Sequence, residues 1–69
     1  MGEPVLSNQL KEARTVLGLT QAELAMRIGV SRKTINTVEN GVFVPSTILA
    51  LKLAAALGRK VEDLFRLDI

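Results

Sequence analysis

The stretch QAELAMRIGVSRKTINTVEN, residues 21–40, holds two short helical patterns joined by Gly29-Val30-Ser31. Leu24, Ala25 and Ile28 share one side of the first pattern, and Ile35 and Val38 share one side of the second. Both spacings are those of successive helical turns. Gly29 is able to take the left-handed conformation that a tight turn needs. Ser31 stands where an N-cap would stand. A short joint that opens on Gly and closes on an N-cap is the arrangement of a helix-turn-helix. Ala25 is small where two crossed helices must approach, and Val30 extends the apolar seam.

The outer face of the second pattern carries the chemistry. At about 100° per residue, Arg32, Lys33, Asn36, Thr37 and Asn40 fall within roughly a 140° arc. Ile35 and Val38 point the other way, and no acid lies inside the arc. Arg and Lys donate to guanine O6 and N7, Asn pairs with adenine N6 and N7, and Thr offers a hydroxyl and a methyl. A merely solvated face would more often mix in Glu or Asp. This face, placed behind a helix-turn-helix joint, points to double-stranded DNA. The helix start at Ser31 suits phosphate as well.

Outward from this stretch, Gly18, Gly41 and Gly58 each follow a periodic segment, and Thr20 and Ser46 each precede one. Thr20 has Glu23 three residues on, the pattern of a capping box. Pro45 blocks helix before Ser46. Five helices are expected, over about 7–17, 21–28, 32–39, 47–57 and 61–66, in one domain spanning 1–69. The fold class is all-α, with residues 1–5 loosely tethered. Arg66-Leu67-Asp68-Ile69 alternates as a short strand would. The expected inner faces are Leu6, Leu10, Ala13 and Leu17 in the first helix, then Leu24, Ala25 and Ile28, then Ile35 and Val38. Val61, Leu64 and Phe65 serve the last helix. The fourth helix is apolar almost all round, with Lys52 its one charge, so it is central or carries a second interface.

Composition removes several functions. The 69 residues contain no Cys and no His. Disulfides, thiolate chemistry, a structural zinc site and His-based catalysis are therefore excluded, and no metal or cofactor is expected. Glu62 and Asp63 are adjacent at a helix start, which suits the helix dipole rather than paired catalysis. No Gly-rich phosphate loop occurs. An enzyme is not expected. RNA is disfavoured because the chain has no aromatic face for stacking bases. Apolar runs are too short for a membrane helix, and no basic-then-apolar leader opens the chain. A cytoplasmic protein with no membrane partner is expected. Net charge is only +2, so the position of the charges matters more than their sum.

The combined pattern resembles the phage-repressor (Cro/XRE) helix-turn-helix family. The residues that carry the likeness are Thr20-Gln21-x-x-Leu24-Ala25, Gly29-Val30-Ser31-Arg32, Ile35, Glu39-Asn40-Gly41 and Pro45-Ser46. The likeness covers about residues 7–65. It implies a compact five-helix, lambda-repressor-like domain whose third helix enters the major groove, usually as a dimer. By position it implies base reading by Arg32, Lys33, Asn36 and Thr37. It implies phosphate binding by Gln21 and Asn40, to which Ser31 and Thr34 at the start of the third helix are added. A helix-one Arg at this spacing pairs, in that family, with the Glu of Glu-Asn-Gly, so Arg14 and Glu39 are expected to form a structural ion pair. Lys11, Lys52 and Arg59 are expected to be solvated.

Two features depart from the pattern. Val42-Phe43-Val44 replaces basic or polar residues, so that loop would meet phosphate only through its backbone N–H groups. Ile48, Lys52 and Ala55 form a stripe with little charge. Self-contact and coverage of the domain's own core are both open for this loop and stripe. The dimerisation segment is expected at about 61–69, through Leu64, Phe65, Leu67 and Ile69, with Pro4-Val5-Leu6 pairing with the tail as a small sheet. A 69-residue chain has little else to cover those four side chains. The expected function is a sequence-specific regulator, a dimeric repressor on an inverted-repeat operator. The alternative is an antitoxin or adaptor that binds a protein partner on the same fold.

Overall fold

The computed structural model describes residues 5–68. In chain order the elements are β1 (Val5–Asn8), α1 (Leu10–Val16), α2 (Gln21–Ile28), α3 (Arg32–Glu39), α4 (Thr47–Leu57), α5 (Val61–Leu64) and β2 (Phe65–Asp68). Local chemistry starts the three central helices. Thr20 Oγ1 accepts from the Glu23 N–H at 3.0 Å while Glu23 Oε1 accepts from the Thr20 N–H at 3.0 Å, a reciprocal capping box. Ser31 Oγ accepts from the Thr34 N–H at 3.2 Å, and Ser46 Oγ accepts from the Leu49 N–H at 3.1 Å. Gly29 ends α2 at φ 76°, a left-handed conformation that Gly takes without the steric cost of a Cβ. These caps hold α2, α3 and α4 to the bounds that the sequence predicts.

The two ends of the chain differ from the expectation. The first helix begins at Leu10 rather than near residue 7, and the last stops at Leu64 rather than near 66. Residues 5–8 pair antiparallel with residues 65–68, with Leu6 opposite Leu67 and Asn8 opposite Phe65. Val5 is thus tied down rather than loose, whereas the small sheet between Val5-Leu6 and the tail is the one expected, lengthened to Asn8 and Phe65. Pro4, Ile69 and residues 1–3 lie outside the described residues. Asn8 marks the change from strand to helix. Its Oδ1 accepts from the Leu10 N–H at 3.1 Å, and its Nδ2 donates to the Val38 carbonyl at 3.0 Å, which joins the sheet to the end of α3.

All five helices contribute to one core. Leu10, Leu24, Ile35, Leu53, Leu64 and Val38 are its most completely buried side chains. Leu19 joins them and Leu17 does not, against the expected face of the first helix. The helix ends at Val16, and the N–H groups of both Leu17 and Leu19 then turn back to the Arg14 carbonyl. Helical spacing therefore stops short of Leu17, and the turn carries Leu19 inward. On α4, Leu49, Leu53, Ala54 and Leu57 face the core. Ile48 and Leu51 stay outside, so the all-round apolar character of α4 leaves an uncovered stripe. No helix among the described residues is long and apolar enough to cross a membrane.

Candidate nucleic-acid interface

The Ser31 cap and the burial of Ile35 and Val38 fix how α3 is rotated. That rotation sets Arg32 and Lys33 in solvent, with Asn36 and Thr37 half-buried beside them and Asn40 exposed at the helix end. The five residues picked from the arc thus share one surface. Thr37 Oγ1 lies 3.0 Å from both the Lys33 and the Thr34 carbonyl, so its hydroxyl proton is committed to its own helix and its methyl remains for contact. Ser31 Oγ and Thr34 Oγ1 stand 3.0 Å apart, and Ser31 Oγ also caps α3.

Behind this face lies an ionic centre. Arg14 Nε donates to Glu39 Oε2 at 2.7 Å and Arg14 Nη2 donates to Glu39 Oε1 at 3.1 Å, a two-pronged contact across α1 and α3. Arg14 Nη1 donates to the Leu19 carbonyl at 2.8 Å, which pins the turn described above. The two side chains are 12% and 4% exposed. Burial pushes the Glu39 carboxyl up, but the hydrogen bonds from Arg14 and Gln21 and the charges of Arg14 and Lys11 outweigh it and hold the carboxyl below its ordinary range. Arg14 is pushed up, above all by its hydrogen bond to Glu39. Glu39 sits near the edge of the polar arc of α3 in angle, yet the pair removes its charge from that surface.

Gln21, at the first position of α2, bridges the two layers. Its Nε2 donates to Glu39 Oε1 at 3.0 Å. Its Oε1 faces α3 and takes long contacts from Arg32 Nη1 at 3.5 Å and Asn36 Nδ2 at 3.4 Å. Asn40 Nδ2 donates to Asn36 Oδ1 at 3.2 Å, which continues the row. The sequence marks Gln21 as a phosphate-binding candidate but holds no sign of this bridge, because its partners stand 11 to 18 residues away. Asn8 is a second residue missed for the same reason.

Two expectations need correction, and one of two open alternatives drops out. The N–H groups of Val42 and Phe43 both bond to the Thr37 carbonyl, at 2.9 and 3.2 Å, so they are not free for phosphate. The side chains of Val42, Phe43 and Val44 are exposed and do not roof the core. Leu64, proposed for a dimer surface, is 0% exposed inside its own core. Strand β2 explains that change, because ending α5 at Leu64 turns this side chain inward and packs Phe65 half-buried against the same core. Leu67 remains on the surface at 60% exposure, and Ile69 lies outside the described residues.

Comparisons with known proteins agree with this geometry. The helix-turn-helix family model matches residues 10–64. An HTH-type transcriptional regulator of Methanothermobacter thermautotrophicus is 55% identical over 60 residues, covering 86% of this chain and 87% of the relative. The regulator YgzD of Bacillus subtilis is 41% identical over 63 residues, covering 91% of this chain and 96% of the relative. Among solved structures, the restriction-modification controller protein C.AhdI from Aeromonas hydrophila superposes with a TM-score of 0.73 at 39% identity, over 78% of each chain. A protein from Bacteroides fragilis shares the fold at a TM-score of 0.81 and 24% identity, over 90% of this chain and 100% of that one. The first two of these relatives are named as transcriptional regulators, and the family match runs from the start of α1 to the end of α5. This chain belongs to the XRE-like helix-turn-helix family of transcriptional regulators, and its lambda-repressor-like fold is a DNA-binding one.

Proposed function

We propose that two copies of this chain bind an inverted-repeat operator in the cytoplasm and repress transcription by occupying it. The observation that carries this reading is the surface of α3. Arg32 and Lys33 stand in solvent beside Asn36, Thr37 and Asn40, while Glu39 is neutralised behind them. A helix of this width fits the major groove, and these side-chain types match base edges there. In this reading Arg32, Lys33, Asn36 and Thr37 meet bases, and Gln21, Ser31, Thr34 and Asn40 meet phosphates. The dimer contact uses exposed apolar surface, including Leu67 of the tail and Ile48 and Leu51 of α4.

Selection of bound duplexes from a random-sequence DNA pool tests the proposal. An enriched inverted repeat with half-sites about 34 Å apart is the expected outcome. One enriched half-site would remove the dimer and keep the reading of bases. No enrichment at low salt would overturn sequence-specific binding. The loop Val42-Phe43-Val44 favours a second reading, an antitoxin or adaptor, because it presents three exposed apolar side chains next to α3. Retained cellular function with both Arg32 and Lys33 replaced by Ala would favour that reading.

A further inference from the structure

Phe43 stands between two grooves. Lys33, Thr34, Thr37 and Val42 line one of them with it, and Val30, Thr34, Ile48 and Lys52 line the other. Together they form a ledge that runs from the exposed face of α3 to the start of α4. Val42, Phe43 and Ile48 are 78%, 47% and 69% exposed on it. The backbone beneath is fixed. The N–H groups of Val42 and Phe43 are both bonded to the Thr37 carbonyl, that of Gly41 is bonded to the Val38 carbonyl, and Ser46 Oγ caps α4. The apolar side chains are therefore presented on a firm support, which lowers the ordering cost of binding.

Charge decides what such a ledge fits. A lysine stands at each groove, and no acidic residue lines either one. Among the described residues neither Lys33 nor Lys52 has an ion-pair partner. A phosphate backbone would satisfy the lysines but leave the apolar side chains uncovered. A second copy docked through the same ledge would set lysine against lysine, because a two-fold contact brings like surfaces together. A peptide segment with large apolar side chains and carboxylates beside them satisfies both features. We infer that this ledge docks an acidic, apolar segment of another protein and, resting on the reading of α3 as the base-contacting helix, that this partner and the operator exclude each other because both need Lys33. Arrival of such a partner lifts repression by competition. Ile48 is shared with the apolar stripe of α4 proposed for the dimer contact, so Val42 and Lys52 are the residues that report on the ledge alone.

The test selects peptides that bind the full chain from a displayed random library, with no DNA present. Enriched peptides are expected to combine Asp or Glu with Leu, Ile or Phe. The strongest is then synthesised, and its binding is measured by fluorescence anisotropy to the wild-type chain and to Val42→Ser and Lys52→Glu. Each substitution is at an exposed position and should leave Tm unchanged. Each should weaken the peptide about five- to tenfold. The operator obtained by selection should displace the peptide from the wild-type chain. No enrichment, enrichment of peptides without acids, or wild-type peptide affinity in both variants would overturn the docking. Peptide and operator bound together would overturn their exclusion. Operator binding that weakens in Val42→Ser while the peptide is unaffected would assign the ledge to DNA, and self-association abolished by Val42→Ser would assign it to a second copy; either result overturns the inference. A wild-type chain without sequence preference for DNA would overturn the reading of α3, and the exclusion with it, whereas the peptide selection stands or falls without DNA, which separates the two failures.

Discussion

Arg14 on α1 and Glu39 at the end of α3 are joined by two hydrogen bonds, at 2.7 and 3.1 Å, although 25 residues separate them. The pair holds α3 against the rest of the domain. Removing one member leaves the other charge in a largely dry site. Glu39→Ala is therefore expected to destabilise the fold by about 3 kcal/mol. In a domain of this size that is a fall in Tm on the order of 15 °C. Thermal unfolding followed by circular dichroism checks it, and an unchanged Tm would refute a structural role for the pair.

The same pair sets the acid limit of stability. The folded carboxyl of Glu39 titrates below its ordinary range, so its contribution is complete above the unfolded pKa of about 4.3 and is lost as pH falls through the lowered folded value. Glu23 has the same sign, because the Thr20 backbone N–H, and then the Thr20 hydroxyl, stabilise its charged form. The chain has no His to titrate near neutrality. Stability should be level from about pH 6 to pH 8 and decline below about pH 4.5. Glu39→Gln should flatten that decline. Urea unfolding at a series of pH values measures both slopes, and identical acid slopes would contradict the assignment.

Gly29 turns the chain between α2 and α3 at φ 76°, and a Cβ built there would meet no atom within 4 Å. The cost of Gly29→Ala is therefore conformational alone, about 1 to 2 kcal/mol. Gly29→Asn should cost less, because Asn tolerates the left-handed region better than Ala. Urea denaturation of the three proteins gives the order directly. Equal stability of the Ala variant would mean that the turn relaxes to another conformation.

Leu64 and Leu67 stand three residues apart and should behave in opposite ways. Leu64→Ala opens a cavity in the core and is expected to cost about 2 to 5 kcal/mol. Leu67→Ala removes an exposed side chain and should change stability by less than about 0.5 kcal/mol. On the proposal of a tail-mediated dimer, the Leu67 variant lowers the sedimentation-derived association constant while Tm of the dilute protein stays put. Unaltered sedimentation would place any dimer contact elsewhere, with Ile48 and Leu51 the next residues to change.

Arg32→Ala should leave Tm within a degree or two, since its side chain is exposed. Binding to the selected operator should weaken by about 1 to 3 kcal/mol with relaxed preference at one position. Lys33→Ala should weaken binding as well without unfolding the chain. Fluorescence anisotropy at fixed salt is the suitable measurement. Wild-type affinity in both variants would remove α3 from the interface.

Local chemistry was enough to read α2, the turn, α3 and α4 from the chain. Thr20, Ser31 and Ser46 satisfy helix-start N–H groups within three residues of themselves, and Gly29 solves a backbone problem at its own position. The exposed arc of Arg32, Lys33, Asn36, Thr37 and Asn40 follows from the same helical period once Ile35 and Val38 are known to be inside. The spacing that links Arg14 to Glu39 came through family resemblance, since nothing local connects them. Other features depend on partners far along the chain. The pairing of Val5 and Leu6 with the tail and the inner face of Leu64 were readable, but only the packed chain shows that the sheet reaches Asn8 and Phe65, ends α5 at Leu64 and leaves Leu67 at the surface. Asn8 and Gln21 look like ordinary polar residues until folding brings Val38, Glu39, Arg32 and Asn36 within reach. Period and capping act over a turn or two and are written in sequence order, whereas burial and hydrogen bonding between distant segments exist only after the chain has packed.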